Sequence, residues 1–108
     1  MSDTWITDIR HFLRDDGSIP DLPGSAARVA KYFGSIIEAV TSRHADEVDW
    51  VTNIRCRRRP AHKRCDGNIV AFYGENDLTI IRWFCPFCDD NGYIHGWLGT
   101  IWDRTVDR

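Results

Sequence analysis

The chain has 108 residues, a formal net charge of -2, 43% hydrophobic and 28% charged residues. This length allows one compact domain with a modest core, and no apolar run approaches the ~20 residues needed to span a bilayer. The start of the chain is acidic and polar, so we expect no signal peptide and a cytoplasmic protein whose cysteines stay reduced.

The first predicted element is an amphipathic helix from Thr4 to Arg14, capped by one of the polar residues at positions 2–4. Its apolar residues recur every three or four positions: Trp5, Ile9, Phe12 and Leu13. That spacing places them on one helical face. Gly17 ends the helix, and Pro20 and Pro23 predict an extended connector after it.

The second predicted element is a longer helix from Ser25 to Ser42, with Ser25 as its N-cap. Its apolar residues also follow the helical period: Ala26, Val29, Ala30, Phe33, Ile36, Ile37 and Val40. Gly34 is a weak point within this pattern. The apolar surface exceeds what a small sheet obviously covers, so we hypothesise a homodimer formed through the 25–42 helix.

Beyond residue 48 the pattern changes from helical to alternating, which predicts strands. The strand candidates are Trp50–Arg55, Asn68–Tyr73, Leu78–Phe84 and Tyr93–Leu98. Residues 74–77 carry the turn formers of a hairpin loop, and residues 100–108 read as a polar tail anchored by Ile101 and Trp102. The predicted fold class is α+β, with two N-terminal helices and a three- to four-stranded antiparallel sheet. Segments 1–48 and 49–108 would form one compact domain.

The four cysteines occur as two pairs that flank the predicted hairpin, Cys56 with Cys65 and Cys85 with Cys88. Four thiolates form a closed tetrahedral shell, which is typical of a structural Zn²⁺ site without catalysis. We therefore predict one structural zinc held by these residues. Iron in the same shell is an alternative, and His62 could replace one thiolate.

These residues also carry a resemblance. Cys56-x8-Cys65, a hairpin and Cys85-Pro86-Phe87-Cys88 resemble a zinc ribbon, and residues 54–103 are similar to a family of small uncharacterised bacterial proteins. The shared motifs are Arg-Cys-Arg-Arg-Arg-Pro, Gly-x-Ile and Gly-Trp-x-Gly-Thr-x-Trp-Asp. The resemblance implies a metal, a fold and a cytoplasmic setting, but no activity. Asp89 departs from the glycine that commonly follows the second cysteine of a zinc knuckle.

A thiol redox function is the rival interpretation of Cys85-Pro86-Phe87-Cys88. Thioredoxin-like proteins place such a motif at the start of a helix within a βαβ unit. Residues 89–92 are turn formers here, so no helix is predicted after Cys88. The sequence contains no HExxH, P-loop or GxSxG motif, and adjacent carboxylates at 89 and 90 are typical of a solvated turn. We therefore expect no catalytic residues and no enzyme activity.

The segment between the first two cysteines is strongly basic. Six of the 14 Lys and Arg residues fall in positions 55–64, without an acid: Arg55, Arg57, Arg58, Arg59, Lys63 and Arg64. One interpretation is that they offset the -2 charge of a Cys₄ zinc centre. The other is that they contact an acidic protein surface or phosphate.

Two binding functions follow from the basic segment. We favour a protein-interaction or regulatory module, since the sequence pI near 6.0 is low for a dedicated nucleic-acid domain. The alternative is a single-stranded DNA or RNA binder that stacks bases on exposed aromatic residues. The candidates for that stacking are Tyr73, Trp83, Tyr93 and Trp97, each of which could instead belong to the core.

Overall fold

The computed structural model describes residues 4–43, 50–57, 65–88 and 90–105. It shows an α+β fold with one α-helix and a five-stranded mixed sheet. The elements in chain order are β1 (Thr4–Asp8), a 3₁₀ turn (Ile9–Phe12), α1 (Gly24–Thr41), β2 (Val51–Arg55), β3 (Asn68–Tyr73), β4 (Ile81–Phe84) and β5 (Asn91–His95). The strand order is β1-β5-β4-β3-β2, with β1 parallel to β5 and every other pair antiparallel.

The predicted N-terminal helix is wrong, because Thr4–Asp8 forms β1. The β-branched and aromatic residues of this stretch favour a strand, and β5 supplies a backbone to pair with. Trp5 lies opposite Gly92 in the parallel register. A Cβ at Gly92 would lie 2.5 Å from the Trp5 carbonyl oxygen, so the glycine permits the close pairing. Asp8 then accepts a hydrogen bond from the Arg10 N–H at 3.1 Å and starts the 3₁₀ turn.

The second predicted helix is confirmed as α1, but its N-cap is Pro23 and not the predicted Ser25. Its apolar residues Phe33, Ile36, Ile37 and Val40 are buried, and the helix contacts β2, β3 and β4. Burying this face removes apolar area from water, which stabilises the fold by about 25 cal/mol per Å². The apolar surface that prompted the dimer hypothesis therefore serves the core of a single chain. Solution mass is the measurement that tests the dimer itself.

The predicted anchor of the C-terminal tail is confirmed, because Trp102 is buried and Ile101 packs against the core. Residues 100–105 fold back onto α1 through this anchor. Trp102 packs against Gly34, where an added Cβ would lie 2.4 Å from the indole Nε1. The glycine that seemed a weak point of the helix is therefore the place where the indole fits. The fully buried Asp103 accepts hydrogen bonds from the N–H groups of Gly99 at 2.8 Å and Thr105 at 2.9 Å, which closes the segment.

The hairpin of β3 and β4 is confirmed, with a longer loop than predicted because β4 begins at Ile81. The Gly74 N–H donates to the Ile80 carbonyl at 2.8 Å, so residues 75–79 lie outside the ladder. The last strand runs from Asn91 to His95 and ends at Gly96, whose φ is 73°. With β1 included, the sheet is five-stranded and mixed, which corrects the predicted three- to four-stranded antiparallel sheet.

No helix within the described residues combines the length and apolar character needed to cross a membrane.

Candidate metal centre

The strand topology gathers the four cysteines at one end of the sheet. Cys56 follows β2, Cys65 precedes β3, Cys85 follows β4 and Cys88 lies shortly before β5. Since β2 to β5 are antiparallel neighbours, the end of one strand lies beside the start of the next. Two connections, distant in sequence, therefore deliver two thiols each to the same place.

The sulfur atoms have the separations that a single metal ion requires. All four Sγ atoms lie within 4.8 Å of one another, and the Cys56–Cys88 and Cys65–Cys85 sulfur pairs are each 3.6 Å apart. A tetrahedral shell with Zn–S bonds of about 2.3 Å has sulfurs about 3.8 Å apart. A disulfide would need about 2.05 Å, and these four cysteines form no disulfide. The donor set fits zinc.

The backbone around the sulfurs fixes their positions. The Cys56 N–H donates to the Gly67 carbonyl at 2.9 Å, and the Cys85 N–H donates to the Asp90 carbonyl at 2.8 Å. The Gly67 N–H points at the Cys65 sulfur at 3.4 Å. Each cysteine pair is therefore held by hydrogen bonds that close its own connection, which reduces the ordering cost of assembling four ligands.

Gly67 is a functional residue that the sequence interpretation missed. A Cβ at this position would lie 2.5 Å from the Cys85 sulfur and 3.2 Å from the Phe87 Cβ. The glycine thus lets the two cysteine-bearing connections approach each other. Its place two residues after Cys65 is the only signal in the sequence that could have identified it.

The pKa values of the two cysteines in the Cys-Pro-Phe-Cys motif are shifted in opposite directions. Burial disfavours the thiolate of Cys85, but N–H groups of Cys88 and Phe87, with Cys65 beside them, hold its pKa below the ordinary value. Burial raises the pKa of Cys88. Backbone donors aimed at a sulfur stabilise a thiolate, which is the form that binds metal.

The surroundings of this motif disfavour the redox alternative. In the described residues, Cys88 is followed at Asn91 by β5 and not by a helix. A low-pKa redox cysteine usually sits at a helix N-terminus, within a βαβ unit. Asp89, the departure from the knuckle pattern, lies outside the described residues.

The structure locates two of the six basic residues proposed as contacts. Arg55 forms a 3.0 Å ion pair with Asp66, and the Arg57 guanidinium lies 5.4 Å from the centre of the Tyr32 ring. Arg58, Arg59, Lys63 and Arg64 lie outside the described residues, as does His62.

The aromatic residues proposed for base stacking are placed differently from the prediction. Trp83 and Trp97 are buried in the core, which removes them as stacking surfaces. Tyr73 packs against Trp97 with ring centres 5.7 Å apart. Of these four residues, Tyr93 lies on the face of the sheet opposite α1, where it pairs with Arg82 across the strands. The exposed Trp50 was missed.

Comparison of the chain with protein-family models, with curated proteins and with solved structures found no match.

Proposed function

We propose that Cys56, Cys65, Cys85 and Cys88 bind one zinc ion that stabilises the fold. The observation that carries the proposal is the convergence of four thiols, three of them buried, at one end of the sheet. Zinc bound to four thiolates is tetrahedral and keeps no position for water or substrate. The metal would therefore be structural, and we propose binding to a partner, without catalysis, as the function.

A metal bound by these cysteines would link the two connections at this end of the sheet. One pair of cysteines closes the β2–β3 connection and the other closes the β4–β5 connection. Cys56, Cys65 and Cys85 also belong to the main apolar cluster. Because a site of this kind does not exist in the unfolded chain, the binding free energy of the metal adds to the folding free energy.

The partner of such a module would meet the basic segment or the exposed sheet. A protein or regulatory partner with an acidic surface is supported by the charge of residues 55–64. Arg55 and Arg57 mark where that segment leaves β2. A cytoplasmic location agrees with this proposal, because reduced thiols are required for the metal.

Elemental analysis of the purified protein tests the metal directly, with an expected value of about one zinc per chain. Each single Cys→Ser change should abolish that stoichiometry. His95→Ala is the matched control, because it removes a potential ligand outside the cluster and should leave zinc unchanged. A protein without zinc or iron, or serine variants that retain zinc, would overturn the proposal. Iron in place of zinc would keep the centre and correct the metal.

The protein-interaction proposal has its own test. Affinity capture with the zinc-loaded protein should lose its specific partners when Arg57, Arg58 and Arg59 are changed together to alanine. Arg28→Ala is a control for the loss of positive charge, since Arg28 is exposed on α1. Partners retained equally by the triple variant would show that the basic segment is not the contact surface.

A further inference from the structure

The face of the sheet opposite α1 is aromatic, and no helix or strand of the described residues packs over it. Side chains alternate along each strand, so Ile69, Ala71, Ile81 and Trp83 face the core, and their neighbours face outward. We define the aromatic face by five outward residues, which are Trp50, Phe72, Arg82, Phe84 and Tyr93. Trp50 and Phe84 are 48% and 39% exposed. An exposed cluster of large rings on a small domain marks a binding surface.

The side chains of the aromatic face form a continuous row across three strands. Trp50 stacks on Phe72 with ring centres 5.2 Å apart. The Arg82 guanidinium lies 5.7 Å from the Phe72 ring centre and 5.2 Å from that of Tyr93. Phe84 meets Phe72 edge-on at 6.3 Å. These contacts hold flexible side chains in place, so less entropy is lost when a ligand binds.

A depression of about 190 Å³ opens within this row. The rings of Phe72, Phe84 and Tyr93 line it together with Arg82 and Asn91. Arg82 is exposed and forms no ion pair among the described residues. Aromatic rings beside one cation provide a site for a planar ring attached to an anionic group.

The charges along the sheet indicate the direction of an anionic ligand. Arg55 faces outward at the end of β2 beside the cysteines, where the basic segment 55–64 begins. Glu75 and Asp77 lie in the β3–β4 loop, at the opposite end. The phosphates of a ligand should therefore lie across the half of the aromatic face that is nearer the cysteines.

The same charges disfavour a second copy of this chain. A two-fold contact centred on the aromatic face, whose axis would pass near Arg82, would bring Arg82 of one copy close to Arg82 of the other. An acidic protein surface would satisfy Arg82 but would leave the rings without flat partners. Unpaired nucleobases satisfy both requirements, since every base has a π surface and every nucleotide carries a phosphate.

We propose that the aromatic face binds single-stranded nucleic acid, with one base in the depression between Phe72, Phe84 and Tyr93 and a phosphate at Arg82. The inference goes beyond the proposed acidic protein partner, because it assigns a different class of partner to a different surface of the same fold. It requires the folded sheet and no chemistry at the metal.

Fluorescence anisotropy with labelled DNA and RNA tests this proposal. Oligonucleotides of about 12 nucleotides fit the site sizes of such binders, and a duplex of the same sequence hides its bases. Phe84→Leu and Tyr93→Leu should each weaken single-strand binding about 5- to 150-fold, the loss that corresponds to one stacked base. Arg82→Gln should weaken binding and reduce the salt dependence by about one counterion.

Matched controls separate the face from general effects. Leu78→Ala changes an exposed apolar residue of the β3–β4 loop, and Arg28→Gln removes one positive charge from α1. Both should bind like the unchanged protein. Zinc content and circular dichroism of every variant report whether the fold survives, independently of nucleic acid.

Three results would overturn the proposal. The first is no single-strand binding at low salt by protein that is folded and carries zinc. The second is equal affinity in all variants, or equal affinity for the duplex, which would assign binding to the basic segment alone. The third is a doubling of the mass in solution that Phe84→Leu abolishes, which would make the face a self-interface. Single-strand binding by folded protein that is purified without zinc or iron would refute the metal proposal and leave this one standing.

Discussion

Replacing Gly67 with alanine introduces one methyl group where the two cysteine-bearing connections meet. The new Cβ would lie 2.5 Å from the Cys85 sulfur, whereas ordinary contacts begin at 3.4 Å. One of the two connections must move by about 0.9 Å to relieve this contact. Metal–ligand distances tolerate about 0.2 Å, so Cys85 cannot keep its place in the shell without a compensating shift of the loop.

The expected result is a protein that binds zinc more weakly. Changes next to the ligands of a metal site typically reduce affinity about 10- to 100-fold, equivalent to about 1.4 to 2.7 kcal/mol. Competition against a chromophoric chelator measures the zinc affinity of the variant and of the unchanged protein under identical conditions. The four cysteines are present in both proteins, so the difference reports packing and not ligand loss.

Gly24→Ala is the matched control for this change. Gly24 is the first residue of α1, and its added Cβ would meet only the flexible Arg28 side chain at 3.4 Å. Zinc affinity should stay unchanged in that variant. Gly67→Ala with the same zinc affinity as the unchanged protein would refute the view that contact between the connections shapes the metal site.

Three further predictions concern the fold. Gly34→Ala should lower the free energy of unfolding by about 1–2 kcal/mol, because overpacking against the Trp102 indole outweighs a helical gain of ~1 kcal/mol. In a Trp102→Leu background, the same change should raise the free energy of unfolding measured by denaturant melts. A decrease in both backgrounds would contradict the contact. Thr41→Val removes the acceptor of the Arg104 N–H at 2.9 Å and should cost about 1 kcal/mol by thermal unfolding, whereas an unchanged midpoint would argue against this bond. The side chain and N–H of Thr79 hold the pKa of Asp77 below its ordinary value. The hydrogen bonds therefore stabilise the fold above the pKa of Asp77 in the unfolded chain, and this stabilisation is lost as pH falls through the pKa in the folded chain. NMR titration should find the Asp77 pKa raised in Thr79→Val, and an unmoved pKa would exclude the side-chain hydrogen bond as a cause.

Periodicity in the sequence was sufficient for α1 and for the strands that carry the cysteines. The apolar residues of α1 repeat at helical spacing over five turns, and this long pattern leaves little ambiguity. The turn formers between β3 and β4 identify a hairpin in the same way. Since hairpin neighbours are antiparallel, the cysteines that flank these strands meet at one end of the sheet.

The N-terminal strand could not be predicted because its partner is distant in sequence. Residues 4–8 match a helical face as well as a strand, and pairing with β5 decides between them. For this strand the decisive residue is Gly92, which lets the two backbones approach. For the C-terminal segment it is Gly34, against which Trp102 packs. Both glycines looked like breaks in local patterns, whereas each accommodates a contact from a remote segment.

The stacking residues were misassigned by one position along the strands. Tyr73 and Trp83 were selected from the sequence, but the outward side chains are Phe72, Arg82 and Phe84. A shift of one residue exchanges the two faces of a strand, and every one of these positions carries a large side chain. Which set is buried depends on the side of the sheet where α1 packs. That tertiary contact is not encoded in the local pattern of the strands.

Zinc K-edge X-ray absorption of the purified protein tests the central claim most directly, because it counts the ligands of the bound metal. We expect four sulfur neighbours at about 2.3 Å and no lighter atom in the shell. Three sulfurs with a nitrogen or oxygen would contradict the closed four-cysteine site, and absence of bound metal would contradict the claim altogether.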